Sequence, residues 1–252
     1  MKTLGIIPSR YASTRFPAKP LADIDGKSML LRVWEQCTKS IELDEIVIAT
    51  DDQRIYDHVI DFGGKVLMTR PDHQSGTDRC GEVLQKYKDK GIELDIVVNI
   101  QGDEPLLNPN QIDALVRFLK SESKADLASQ FKLSSEPEIA TNPNIVKVVT
   151  SLGGRALYFS RSPIPFFRNP INISYKKHIG LYAYRADALK TICGLSSTQL
   201  EQTESLEQLR WLEHDLNIYM QETTYENKGV DSPEDLEEII RMLNNRSIEG
   251  EG

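Results

Sequence analysis

Arg10, Arg15 and Lys19 share one loop, PSRYASTRFPAKPL (residues 8–21), that leaves an apolar run, and Asp23 is the first acid to follow them. Cations on a tether stiffened by Pro8, Pro17 and Pro20 suit an anion, because the prolines reduce the chain entropy lost when the side chains are fixed on a target. Gripping a polyphosphate, each cation would contribute roughly 1.5–3 kcal/mol through charge-assisted hydrogen bonds. The plainer alternative is a solvated basic face. No GxxxxGK[ST] run occurs, so a P-loop is not the phosphate cradle.

Two acids stand out at a distance from this loop. Asp103 lies in VNIQGDEP (98–105), just past a buried run, where Gly102 lets the chain turn. A helix N-cap is the competing role, but Asn108 is better placed for it. In NKGVDSPEDLEEII, Ser232, Pro233 and Asp235 make a capped helix start without Asp231, which is left over. Brought together, Asp103 and Asp231 would form a two-carboxylate site for Mg²⁺, completed by phosphate oxygens and water. Glu104 is adjacent, and the turn is free to point it elsewhere.

The remaining polar segments are more ambiguous. In RPDHQSGTDR, Gly76 allows close approach of a planar base and Gln74 can hydrogen-bond it; the alternative is a polar turn in which Ser75 or Thr77 caps a helix. Asp51, in ATDDQR, reads as an N-cap before it reads as a ligand. His58 and His214 fall in helical patterns and read as structural. His178, ahead of IGLYAYR, fits a core histidine and a site residue equally well.

The elements that must position these residues follow from periodicity. TLGIIP, DEIVIAT, KVLMT and LDIVVNIQ are short apolar runs of strand type. SMLLRVWEQCTKS, DQRIYDHVIDFG, TDRCGEVLQKYKDKG and NPNQIDALVRFLKS alternate with them and are helical, the last opened by Asn108 and Pro109. That alternation predicts an α/β fold with a doubly wound, mostly parallel sheet, whose ligands sit beyond the carboxyl ends of the strands. From about Ile145 to Tyr184 the pattern changes to strands joined by turns, predicting a smaller antiparallel β-rich element within a single domain spanning 1–252. Phe166 and Phe167 there belong either to a satellite cluster or to a dimer surface. ESLEQLRWLEHD then reads as an amphipathic helix, NIYMQET as a strand and SPEDLEEIIRMLNN as a terminal helix.

Composition narrows the partners. At 252 residues and 39% hydrophobic, the chain buries roughly 70–75% of its unfolded surface without staples. A net charge of −8 argues against a general nucleic-acid binder or an anionic-membrane protein, so any anion is bound locally. Cys37, Cys80 and Cys193 are widely spaced and read as reduced thiols, and the N-terminus lacks a signal-peptide or membrane-spanning run; a cytoplasmic location is expected.

Taken in order, PSRYASTRFPAKPL, DHQSGTDR, VNIQGDEP, YFSR, KHIGLYAYR, LEQLR and GVDSPEDLE resemble the 3-deoxy-manno-octulosonate (Kdo) cytidylyltransferase family of sugar nucleotidyltransferases, over nearly the whole chain. One departure is the short connection 165–176. The resemblance implies that CTP and Kdo give CMP-Kdo and diphosphate with Mg²⁺, for lipopolysaccharide biosynthesis, in a homodimer joined through the smaller β-rich element. It implies that Arg10 and Lys19 hold the CTP phosphates with help from Arg15, and that Gln74, Ser75 and Gly76 read cytosine. Asp103 and Asp231 would hold the metal. Gln101, Arg161, His178 and Glu207 would surround the sugar acid, with Arg79 and Tyr182 as neighbours. A transferase for a different acidic sugar, or one using UTP, is the alternative.

Overall fold

Apolar runs without polar alternation are stable inside a sheet covered on both faces, and the first half of the chain is built that way. The computed structural model describes residues 1–12, 16–169 and 174–249; Arg15 and part of the connection 165–176 lie outside the described residues. Strand β1 (Thr3–Ser9) leads through a short hairpin, β2 (Asp23–Ile24) and β3 (Lys27–Ser28), into α1 (Met29–Cys37). The Ser28 hydroxyl caps that helix by accepting from the Leu31 N–H. The predicted alternation then continues as β4 (Glu45–Thr50), α2 (Gln53–Asp61), β5 (Val66–Met68), α3 (Gly76–Asp89), β6 (Ile96–Asn99) and α4 (Pro109–Ser121). Asn108 and Gln111 form a reciprocal capping box at α4, as its sequence suggests.

The second half adds β7 (Leu127–Ser134), α5 (Pro137–Thr141), β8 (Lys147–Thr150), β9 (Ala156–Ser160), β10 (Tyr175–Arg185), α6 (Ala186–Cys193), α7 (Gln199–Glu204), α8 (Glu207–Glu213), β11 (Ile218–Glu222) and α9 (Pro233–Glu249). The main sheet runs β11-β7-β10-β6-β1-β4-β5. All neighbours are parallel except β10, which lies antiparallel to both β6 and β7. The fold is therefore α/β with a mostly parallel, mixed sheet. Helices α1, α2 and α4 fill one face with Leu30, Val33, Ile55, Val59 and Leu115. Helices α3, α6 and α8 fill the other with Val83, Leu189, Leu209 and Trp211.

Strands β8 and β9 pair antiparallel and meet β10 at Lys147–Lys177. The smaller β-rich element thus shares β10 with the main sheet instead of standing apart from it. Two details differ from the periodicity. The helix expected from Glu204 starts only at Glu207, because Ser205 is left-handed (φ 52°) and ends α7. Strand β7 has no clear apolar signature, because its buried positions include Ser129 and Gln130. Both are satisfied inside: Ser129 donates to the Ile179 and Leu181 carbonyls, and Gln130 bonds Gln111.

At the end of the sheet opposite the strand carboxyl termini, Asp113 of α4 anchors the α1–β4 connection. Its buried carboxylate accepts from the Ser40 hydroxyl at 2.5 Å and from the Ile41 and Glu42 N–H groups at 3.2 Å each. Asp113→Ala leaves those donors unsatisfied and should lower the unfolding free energy by about 2–4 kcal/mol. Urea melts check this, and turnover per folded molecule should be unchanged.

Candidate active site

The carboxyl ends of β1 and β6 open onto a cavity of about 460 Å³ lined by Ser9, Arg10, Lys19, Gln101, Asp103 and Asp231, among others. Each arrives by a different local device. Arg10 follows directly from β1. Lys19 begins a single helical turn after Ala18, whose left-handed φ of 58° and N–H bond to the Tyr11 carbonyl fold the loop back on itself. Asp103 follows the turn at Gly102, where a Cβ would stand 3.0 Å from the Pro8 carbonyl and 3.1 Å from Ser9 Oγ, so a side chain there would push the turn away from β1 by a few tenths of an ångström. Lys19 Nζ lies 2.7 Å from Asp103 and 3.7 Å from Asp231, and it also donates to the Val230 carbonyl at 2.8 Å. The basic loop and both singled-out acids therefore meet at one ammonium.

Asp231 is delivered by an extended strap, residues 223–232, between β11 and α9. Glu226 accepts from Lys132 and Lys177 at 2.5 and 2.9 Å. Asn227 donates to Glu104, and the Val230 N–H donates to the Asp103 carbonyl at 2.9 Å. Glu104 thus faces the strap, where burial pushes its carboxyl up to about 7. Asp235 supplies the carboxylate that caps α9, accepting from the N–H groups of Asp231 and Ser232. As donors, Asp103 and Asp231 suit a hard cation such as Mg²⁺, which accepts one or two carboxylates and fills its octahedron with phosphate and water. Among the described residues no cluster of three or more ligating side chains competes with them.

The turn 72–76 lies beside this cavity. Gly76 opens α3 and packs on Pro8, which also lines the cavity, with a Cβ position 3.5 Å from Pro8 Cγ. Ser75 caps α3 by accepting from the Asp78 N–H and donates to Glu207 at 3.1 Å. Its hydroxyl is therefore engaged within the protein, and among the described residues the exposed Gln74 bonds the Asp72 carbonyl. Gln101 donates to the Gly180 carbonyl at the bulge in β10. Two residues before it, His178 packs on Phe159 and Tyr182 at 5.0 and 5.4 Å and hydrogen-bonds Ser129 Oγ. Loss of solvent around the imidazole pushes its pKa down to about 3, so it is neutral. Tyr182 is buried against Trp211, and among the described residues its buried hydroxyl makes no hydrogen bond.

Two cations expected beside a sugar acid are held by acceptors within the protein. Arg79 is 1% exposed and bonds Asp51 and Thr69, so burial commits it to the framework; Asp52, not Asp51, caps α2. Arg161 donates to the carbonyls of Pro143, Glu204 and Ser205, at 2.9, 2.7 and 3.2 Å, and braces the α7–α8 corner. Sequence reasoning missed the Val230 carbonyl, Ser129 and the Glu226 anchor. None carries a local signal, because each acquires its role from a partner far away in the chain.

The family profile described as Cytidylyltransferase matches residues 4–224. The chain is 49% identical to the 3-deoxy-manno-octulosonate cytidylyltransferase of Parabacteroides distasonis, covering 98% of this chain and 100% of that one. It is 48% identical to the protein of the same name from Bacteroides thetaiotaomicron, with the same coverage. Among solved structures, a CMP:2-keto-3-deoxy-manno-octonic acid synthetase complexed with CTP superposes with a TM-score of 0.92 at 42% identity, covering 98% of this chain and 100% of that one. A cytidylyltransferase from Leptospira borgpetersenii, 16% identical with a TM-score of 0.62 over 95% and 85% of the two chains, shares the fold.

The strap's anchor has a pH signature. Hydrogen bonds from Lys132 and then Lys177 hold the Glu226 carboxyl at about 2, against an ordinary 4.5. A depressed pKa means that the anchor's contribution is full above 4.5 and disappears as pH falls toward 2. The stability difference between wild type and Glu226→Gln should stay flat from neutral pH to about 5 and close below it. Urea melts at stepped pH measure this; a difference constant through that window removes Glu226 as the anchor.

Proposed function

The chain belongs to the cytidylyltransferase family, and from that premise we propose that it activates 3-deoxy-manno-octulosonate with CTP, giving CMP-Kdo and diphosphate. The observation that carries the reading is the convergence of Lys19, Asp103 and Asp231 in the cavity at the ends of β1 and β6. Attack of a sugar hydroxyl on the α-phosphorus builds negative charge on phosphoryl oxygens and on the departing diphosphate. Catalysis is then mainly positioning and electrostatic stabilisation.

In this reading Arg10 and Lys19, with Arg15 from the same loop, bind the phosphates and neutralise the leaving group. Asp103 and Asp231 hold Mg²⁺, which when bound screens phosphate charge and lowers the pKa of the attacking hydroxyl. Gln74 and the backbone of Ser75 and Gly76 face the base. Gln101, neutral His178, Tyr182 and Glu207 line the sugar side, and Arg161 shapes its far corner while two of its guanidinium N–H groups remain for the sugar carboxylate. No covalent enzyme intermediate is required. The product would feed lipopolysaccharide assembly. Unpaired cysteines, and no helix among the described residues long and apolar enough to cross a membrane, support a cytoplasmic enzyme.

A homodimer joined through β8, β9 and the start of β10 accounts for Leu157 and Phe166, which are 52% and 85% exposed. Phe166→Glu should shift the species seen by light scattering from two chains to one, and an unchanged mass would place the interface elsewhere.

Diphosphate release from CTP, Kdo and MgCl₂ tests the activity; equal rates with UTP, or with sialic acid in place of Kdo, would reassign the substrates. Lys19→Ala should cut kcat/KM by about 100- to 1,000-fold with the fold retained. Asp103→Asn and Asp231→Asn should each remove the Mg²⁺-dependent rate, and turnover that survives either change would put the metal elsewhere.

A further inference from the structure

We propose that Glu207 is a positioning residue for the nucleotide half of the site, latching the base-facing turn 72–76 through the first turn of α3. The proposal rests on the cytidylyltransferase reading and asks on which substrate Glu207 acts. Its two carboxylate oxygens are divided between neighbouring hydroxyls: Ser75 Oγ donates to Oε1 at 3.1 Å and Thr77 Oγ1 donates to Oε2 at 2.9 Å. Gly76 sits between those hydroxyls and lies on Pro8, a wall of the cavity. The latch therefore sets how Gly76 and the turn before it lie against that wall.

The carboxylate is itself fixed from behind. Arg210, one turn along α8, donates to Oε1 at 3.3 Å, pairs with Glu201 at 3.3 Å and donates to the Leu195 carbonyl at 3.0 Å. Upstream, Glu204 accepts from the Ser160 hydroxyl and the Arg161 N–H, tying the α7–α8 corner to β9. Glu207 thus stands on a braced corner and reaches across to α3, 130 residues away in sequence. Because Ser75 uses its hydroxyl both as helix cap and as latch, base discrimination falls to Gln74 and to backbone groups, whose placement the latch sets.

A residue that only contacts the sugar acid would leave CTP binding untouched. Calorimetry of CTP with MgCl₂ and no sugar acid, on the full chain, therefore separates the two roles. The latch predicts that Glu207→Ala weakens CTP by about tenfold, a part of what its two hydrogen bonds contribute because they hold the turn and not the ligand, and narrows the CTP-over-UTP ratio of kcat/KM by about fivefold. Glu207→Gln, whose amide still bridges both hydroxyls, should bind CTP within about threefold of wild type in the same calorimetry. Unchanged CTP affinity in Glu207→Ala, with only the KM for Kdo raised, overturns the proposal. Should Glu207→Ala fail to fold, Thr77→Val removes one arm of the latch alone; a loss of about threefold in CTP affinity supports the proposal and no loss overturns it. Failure of the wild type to bind or turn over CTP would instead defeat the cytidylyltransferase reading.

Discussion

Two carboxylates brought together repel unless a cation stands between them, and the cavity end of this fold is organised around that requirement. Lys19 supplies the cation. Its bonds to Asp103 and to the Val230 carbonyl close loops of 84 and 211 residues. The amino-terminal loop, the turn after β6 and the strap before α9 thus meet at a single nitrogen. Removing that positive charge leaves two partly exposed acids facing each other and takes away a polar tie between loop and strap, leaving Val230 packed with Ile24 and Phe16. Charge balance and chain geometry are one constraint here. It also explains how an acidic protein concentrates cations where an anion is to bind without becoming basic overall.

The strap shows how such a constraint is met by distributed contacts. It has no regular secondary structure, yet it is held by Glu226 on two lysines, by Asn227 on Glu104 and by the Val230 N–H on Asp103. Lys132 and Lys177 come from β7 and β10, which are paired in register as Lys177–Lys132. Adjacent like charges on a sheet are unfavourable, and Glu226 placed over both removes the conflict. The same glutamate then fixes the chain that carries Asp231. A sheet defect and a loop defect cancel.

Much of this was legible in the sequence because its causes are local. Apolar runs and helical spacing produce β1, β4, β6 and α4, and the rule that ligands lie beyond strand carboxyl ends singles out the segments after β1, β4, β5 and β6, two of which carry Arg10, Lys19 and Asp103. Asp231 was found by elimination, since Ser232 and Asp235 complete the helix cap without its carboxylate. What escaped is non-local. Strand β7 hides because Ser129 and Gln130 are polar residues satisfied by β10 and α4, partners no window of sequence contains. Arg79 and Arg161 read as free cations because their acceptors, Asp51 and the carbonyls at 143, 204 and 205, are supplied by other elements. Ser205 is a non-glycine residue in left-handed geometry, which periodicity takes for helix interior.

Strand β10 makes the two halves of the site one object. It runs antiparallel between β6 and β7, so its course opposes that of the strands whose ends form the phosphate cavity. Its bulge between Ile179 and Tyr182 interrupts the ladder and leaves the Gly180 carbonyl to Gln101, which stands two residues past β6 and lines the cavity. His178 and Tyr182 flank that bulge, while the first half of the strand carries β8 and, through it, β9. The smaller element is therefore bonded along β10 to Gln101, and through Arg161 and Glu204 to the corner that holds Glu207. An insertion that at first looks like an appendage to the sheet is mechanically part of the site, because a single strand serves both.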